Sequence, residues 1–237
     1  AYCIFYVLSE QGYLTALNPA GQEIWTVEAD GGGDYKLSPL VSEQFVYVAG
    51  EDKVITAFNI ADGSTHYRFE TNSEILAQPV LGADDTLFVA TENHRLYALD
   101  SDGNIRFTFT APTGQFKTSP VVSEDGQQVY VAAEENVLYA VSTNNGSIVW
   151  KYSTAGRILA APTLSNSDIL IGTELGELIL LNSNGFPTYR TSVNGEIAQV
   201  PQLDNSGNIG VLSGQYMVSV LALLPDAWDG RPDVLPT

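Results

Sequence analysis

Five glutamates recur at almost one interval. Glu10, Glu51, Glu92, Glu134 and Glu174 lie 41, 41, 42 and 40 residues apart. Carboxylates repeated on one surface can steer a basic partner or hold divalent cations. The plainer account is a solvated turn residue copied along with a repeat. Asp100-Ser101-Asp102-Gly103-Asn104 looks like the start of a calcium loop. It lacks a third ligand position and the glutamate at position twelve, so turn chemistry outweighs a bound Ca²⁺ there. His66 and His94 stand at unrelated positions without the spacing of a zinc pair. A lone, exposed imidazole is the expectation for each. Gly31-Gly32-Gly33 follows no strand-to-helix pattern and reads as a flexible loop, and Trp228-Asp229 is a lone WD pair.

The whole chain limits what these groups could serve. Its 237 residues carry 10 Lys+Arg against 28 Asp+Glu, a formal charge of −18. Phosphate binding needs clustered cations, so a nucleic-acid partner is excluded, as is docking on anionic lipid. With one cysteine, Cys3, no intrachain disulfide can form. No apolar run reaches the ~20 residues of a membrane span. Ala1 opens directly into an apolar strand-like stretch, so any export signal is expected to be removed or upstream.

The glutamates belong to a larger period. Pro39, Pro79, Pro120, Pro162 and Pro201 each precede a short apolar stretch. Ala16, Ala57, Ala98, Ala140, Leu180 and Val220 form a second series. Gly21, Gly63, Gly103, Gly146 and Gly185 form a third, and four residues after each comes an aromatic: Trp25, Tyr67, Phe107, Trp150 and Tyr189. Within one unit, runs such as FVYVA, VITAFN and THYRF have the β-branched and aromatic makeup of strands. With the Pro-led run they give four strands per unit, named A to D from the axis outward. Asn145-Gly146 and Asn184-Gly185 supply tight-turn chemistry. Four antiparallel strands in about 40 residues describe a blade of a β-propeller, which buries both sheet faces only by stacking on its neighbours. The expectation is an all-β propeller of about six blades, near 1–38, 39–78, 79–119, 120–161, 162–200 and 201–224. The first lacks strand A and the last lacks strand D. The proline-rich 225–237 reads as a tail or linker, and a seven- or eight-bladed parent ring stays open.

ALNPAGQEIW (Ala16 to Trp25), AVSTNNGSIVW (Ala140 to Trp150) and ALDSDGNIRF (Ala98 to Phe107), with SPVV and VYVA, resemble the quinoprotein-type (PQQ-like) β-propeller repeat. That family includes PQQ-dependent alcohol dehydrogenases and non-catalytic BamB-like propellers. Its catalytic members use a vicinal cysteine pair, calcium-binding Glu and Asn, a catalytic Asp and about eight blades with long insertions. This chain has one cysteine and short loops, so no catalytic or cofactor-binding residue carries over and no enzyme is expected. The small residue on strand C is expected to leave room between blades. The glycine should take the special angles of the C–D turn, with the aromatic lying across that turn and against the next blade. Leu180 and Val220, in place of alanine, imply looser or re-registered packing.

Placed on a propeller, the five glutamates fall in the B–C turns. The D–A connections open on the same face and add Asp30, Asp34, Glu74 and Glu196, while Lys36, Lys117 and Arg157 lie nearer the axis. The result is an acidic rim around a slightly positive mouth. Three functions follow: a non-catalytic interaction scaffold of an exported bacterial protein, periplasmic or at the cell surface, binding a protein or surface ligand; a degenerate quinoprotein; or a glycan-binding adhesin with Tyr35, Phe116 and Trp228 as candidate stacking rings, buried packing explaining Tyr35 and Phe116 equally well.

Overall fold

The computed structural model describes residues 4–29, 34–112, 114–165, 167–203, 208–214 and 217–222. Cys3, Asp30, the triple glycine, Trp228 and the 225–237 tail lie outside them. The described chain folds into six antiparallel sheets, each taken from consecutive sequence. The first holds β1 (Phe5–Leu8), β2 (Tyr13–Leu17) and β3 (Glu23–Glu28). The second holds β4 (Leu40–Val41), β5 (Phe45–Ala49), β6 (Val54–Asn59) and β7 (Thr65–Glu70). The third holds β8 (Val80–Leu81), β9 (Leu87–Ala90), β10 (Arg95–Leu99) and β11 (Ile105–Thr110). The fourth holds β12 (Val121–Val122), β13 (Gln128–Ala133), β14 (Val137–Ser142) and β15 (Ile148–Ser153). The fifth holds β16 (Thr163–Ser165), β17 (Asp168–Gly172), β18 (Glu177–Leu181) and β19 (Pro187–Ser192). The sixth has β20 (Gln202–Leu203), β21 (Asn208–Ser213) and β22 (Met217–Ala222). The expected strand pattern, with three in each terminal sheet and four in the others, is the one observed.

The sheets are blades of a β-propeller. Short strands A neighbour one another, β8 beside β12 and β16 beside β20. Gln78 ties three of them together: its side-chain amide donates to Ser38 O at 2.9 Å, and its backbone N–H donates to Ser119 Oγ at 3.1 Å. The core is not one mass but five slabs, each between consecutive blades. One slab, for example, joins Tyr47, Ala49 and Ile55 of blade two to Leu87, Val89 and Tyr97 of blade three. Alternation explains this: successive side chains of a strand face opposite neighbours, so strands B and C are apolar at most positions on both faces.

The second periodic series sets the spacing between blades. Ala16, Ala57, Ala98 and Ala140 are buried, and each pairs across the sheet with an aromatic: Tyr6, Tyr47, Phe88 and Tyr130. Leu180 pairs with Leu170 and Val220 with Gly210, in the same register. The expected re-registration is therefore corrected: in blade five a medium side chain opposite a medium one replaces small opposite large, which conserves volume.

A second correction concerns the ring. Trp25, Tyr67, Phe107 and Trp150 pack against the next blade as expected, but each lies across the glycine turn of that blade and not across its own. A Cβ built on Gly63 would sit 2.7 Å from Trp25, on Gly103 2.5 Å from Tyr67, and on Gly185 2.5 Å from Trp150; Phe107 lies closer still to Gly146. These glycines have φ of 72 to 81°, a region that costs other residues about 1 kcal/mol or more. The indole N–H completes the contact, Trp25 Nε1 donating to Ile60 O at 3.2 Å and Trp150 Nε1 to Ser183 O at 2.9 Å.

Candidate functional site

The B–C turns and the D–A connections are bonded into one face. In each turn a residue with positive φ, namely Gly12, Lys53, His94, Asn136 or Gly176, turns its carbonyl to the end of strand D. Its acceptor is met by the N–H of Ala29, Thr71, Ala111, Thr154 or Val193, at 2.8–2.9 Å. The repeated glutamates sit two residues earlier. The N–H groups of Glu51, Glu92, Glu134 and Glu174 donate to the carbonyls of Asp34, Glu74, Gln115 and Arg157, and the Glu10 carbonyl accepts from Tyr35 N at 3.3 Å. Backbone bonding thus holds the five glutamates in equivalent places.

The cations do not form a separate inner ring. Lys36 Nζ bonds Glu51 at 2.8 Å and lies 3.6 Å from Asp34. Lys117 approaches Glu134 at 3.3 Å, and Arg157 approaches the same carboxylate at 3.5 Å. Arg157 also donates from Nε and from its backbone N–H to the two oxygens of Glu174, at 2.8 and 3.0 Å. Lys117, Glu134, Arg157 and Glu174 therefore make one alternating ladder across blades four and five. Bonds from the Arg157 backbone and guanidinium, with the guanidinium charge, hold the Glu174 carboxyl below its usual range. The same contacts raise Arg157, and Glu51 raises Lys36. Glu10, Glu74 and Glu92 make no ion pair among the described residues. In blade three Leu76 stands where blades two and four have Lys36 and Lys117, so Glu92 has no matching cation.

A cleft of about 470 Å³ opens beside the ladder, lined by His94, Gly114, Gln115, Glu134, Glu135 and Arg157. His94 is half-buried and donates from Nδ1 to Gly114 O at 2.7 Å, which pins the D–A connection that floors the cleft. It is not the exposed imidazole expected. His66 likewise bonds the next blade, donating to Ser101 O at 3.2 Å and stacking on Phe45 at 4.4 Å. Asp100 Oδ1 accepts from Asp102 N and Asn104 N at 3.0 and 2.8 Å. These bonds outweigh the opposing effect of burial and lower its carboxyl. Among the described residues, no three His, Cys, Asp or Glu side chains converge as a metal site. No helix there is long and apolar enough to cross a membrane.

Of the two readings open for Tyr35 and Phe116, packing and not sugar stacking is the one observed. Tyr35 is buried, with its hydroxyl donating to Ala29 O and bonded to Asp52 Oδ2 at 2.8 Å. Phe116 is fully buried against Phe109. Sequence reasoning missed Gln115 and Glu135 as cleft residues and Arg157 as a bridge. The available signal was a cation 15 to 17 residues before Glu51, Glu134 and Glu174.

With this geometry in place, residues 3–82 and 68–185 match the family described as outer membrane protein assembly factor BamB. The chain belongs to that PQQ-like repeat family. BamB of Burkholderia pseudomallei is 26% identical over 181 residues, covering 73% of this chain and 46% of that protein. Tetrathionate hydrolase of Acidithiobacillus ferrooxidans is 25% identical over 160 residues, covering 67% of this chain and 29% of the other. The chain spans half or less of these curated relatives. The crystal structure of BamB from Moraxella catarrhalis aligns with a TM-score of 0.55 at 17% identity. That alignment covers 95% of this chain and 81% of that one, and it supports the propeller fold alone.

Proposed function

We propose that this BamB-like propeller is a non-catalytic scaffold of the bacterial envelope that recognises a protein partner through its B–C/D–A face. The observation that carries the reading is the Lys117–Glu134–Arg157–Glu174 ladder beside the 470 Å³ cleft. Fixed charges of alternating sign on bonded loops of a rigid scaffold set register and partner choice. Unmatched carboxylates nearby, Glu92 among them, favour a basic or mixed-charge surface on the partner. The BamB relatives support the envelope setting, and the charge of −18 opposes nucleic acid and anionic lipid.

The test is site-specific photo-crosslinking in cells. A photoreactive residue at Gln115, in the cleft, should give a discrete protein adduct, and one at Gln127, on the opposite A–B turn, should not. Equal labelling from both positions, or none from Gln115, would refute the assignment. The tetrathionate hydrolase relative keeps an enzyme reading in view. Turnover or a spectral change on adding PQQ with Ca²⁺ would replace the scaffold by a catalyst.

A further inference from the structure

The chain holds three Asn-Gly pairs: Asn145-Gly146, Asn184-Gly185 and Asn194-Gly195. All three asparagines are exposed. Such a pair carries its own electrophile and nucleophile. They are the side-chain amide carbon of asparagine and the backbone nitrogen that follows it, which glycine leaves unshielded. Whether the two meet depends on how the backbone between them is held. Two of the pairs are locked. The Gly146 N–H donates to Ser142 O and the Gly185 N–H to Asn182 O, both at 2.9 Å. Asn145 Oδ1 accepts from Ser147 N, and Asn184 N donates to Asn182 Oδ1, each at 3.0 Å. The rings of Phe107 and Trp150 lie over these two glycines. For the nitrogen to reach the side chain, the turn must break its bonds and lift off the ring.

The third pair is open. It lies in the D–A connection of blade five, on the B–C/D–A face. Among the described residues, neither the Gly195 N–H nor the Asn194 side chain has a bonding partner. Bonds hold the chain on either side, Val193 N donating to Gly176 O at 2.9 Å and Ile197 N to Thr173 O at 3.0 Å. Blades two and four clamp the same connection from within. There the residue after strand D is a threonine, and Oγ1 of Thr71 donates to Ser73 O at 2.6 Å, as Oγ1 of Thr154 does to Gly156 O at 2.7 Å. In blade five Val193 stands in that place. It has no hydroxyl to give, so the equivalent carbonyl, that of Gly195, goes unclamped.

We propose that Asn194 is a self-modification site of the folded protein, converted to aspartate and isoaspartate through a succinimide formed with Gly195. The Gly195 nitrogen attacks Asn194 Cγ, and a C–N bond forms as the bond from Cγ to the side-chain nitrogen breaks. The proton lost by the Gly195 N–H leaves with that nitrogen as ammonia. Water then opens the five-membered ring at either carbonyl, giving aspartate or isoaspartate; nothing is oxidised or reduced. The product adds a carboxylate two residues from Glu196, whose charge already acts on Arg157. The isoaspartate also lengthens the main chain of the connection by one carbon. The chemistry does not depend on the partner proposed above, so the two stand or fall separately.

Ageing the protein tests this. The folded chain is held at mildly alkaline pH, sampled over time and digested. Mass spectrometry reads the change from amide to acid at each asparagine, and an isoaspartyl methyltransferase with S-adenosylmethionine counts the isoaspartate. A parallel series in urea gives the rates of the same pairs without structure. Asn194 should convert in the folded chain at close to its urea rate. Asn145 and Asn184 should fall about tenfold or more below theirs, the protection given by a turn that must first open locally. Val193→Thr, which restores the clamp of blades two and four, should slow Asn194 severalfold in the folded chain and not in urea. Asn194 protected as strongly as the other two, or either of them converting as readily as Asn194 relative to urea, overturns the proposal. A folded rate unmoved by Val193→Thr overturns the missing clamp as its cause.

Discussion

The turns at Gly21 and Gly185 are the same piece of structure in two surroundings. In each, the asparagine that opens the turn, Asn18 or Asn182, accepts two backbone N–H groups on Oδ1 at 2.9–3.1 Å. In each, the glycine N–H donates to that asparagine's carbonyl at 2.9 Å, and φ is 76° or 79°. Gly185 lies under the indole of Trp150, while Gly21 has open space above it. The turn is therefore locally determined, and inter-blade packing is added to it afterwards. The glycine meets two separate demands, a left-handed backbone and a ring overhead, and only the first is present at both ends.

Removing a ring should have the largest effect. Trp25 is buried on Gly63, donates to Ile60 O and packs against Tyr6 at 5.8 Å. Trp25→Ala should lower stability by about 3–5 kcal/mol in urea unfolding, the range for a buried aromatic. A loss under about 1 kcal/mol would mean the ring is not what holds blades one and two together. The glycine pair separates the two demands. Gly21→Ala should cost about 1 kcal/mol, from backbone conformation alone. Gly185→Ala meets the same backbone cost and also the Trp150 ring, adding about 1–3 kcal/mol of overpacking. Equal losses would show that the ring yields freely and that the comparison fails.

Sequence periodicity reveals the repeat, the strand order and the B–C placement of the glutamates, because each depends on near neighbours in the chain. The series at Ala16, Gly21 and Trp25 lies within a single unit and is visible as spacing. What the ring covers is not: Trp25 and Gly63 are 38 residues apart, and nothing in the Gly–x₃–aromatic spacing says which glycine receives the ring. The same limit explains Tyr35 and Phe116. Both sit in loops, where an aromatic suggests a binding surface, yet both are folded inward by contacts from other strands. Lys53 and His94 hide a further regularity. They take the positive φ that Gly12 and Gly176 take in their own blades, and residue identity alone does not mark them as equivalent. The charge ladder was half legible. Spacing puts each ladder residue on this face but separates rim from mouth, because reach between side chains is not a property of spacing.

The ladder offers a smaller test. Glu174 is held low by Arg157, whereas Glu92 in blade three has no matching cation. A carboxylate whose folded pKa lies below its unfolded value stabilises the fold above the usual carboxylate range near pH 4, and that contribution disappears as pH falls through the lowered value. The Glu174 side-chain carboxyl carbon, followed by NMR, should titrate lower than in an Arg157→Gln variant. Being exposed, the pair should shift little else, and its effect should shrink with added salt. An unchanged midpoint in Arg157→Gln would detach the Arg157 guanidinium from Glu174 in solution, leaving only the backbone N–H to hold the carboxyl low.

The smallest expected effect distinguishes the rings from one another. Trp25 and Trp150 each aim an indole N–H at the carbonyl of the next turn. Tyr67 covers Gly103 in the same way, but its buried hydroxyl has no partner among the described residues, and the Ser101 carbonyl is met by His66 instead. A buried, unbonded hydroxyl is a cost without a return, so Tyr67→Phe should leave stability unchanged or raise it by up to about 1 kcal/mol at pH 8. Burial, with Tyr47 and Asp100 adding to it, also pushes the Tyr67 phenol well above its usual value near 10. Such a group favours the folded state only while it is protonated in both states. As pH rises past 10 the unfolded chain ionises first, and stability is lost. The advantage of Tyr67→Phe should therefore widen between pH 8 and pH 10.5 in urea unfolding. A loss of more than about 1 kcal/mol at pH 8 would mean that the hydroxyl has a bonding partner, such as water, that keeps the ring of blade two on the turn of blade three.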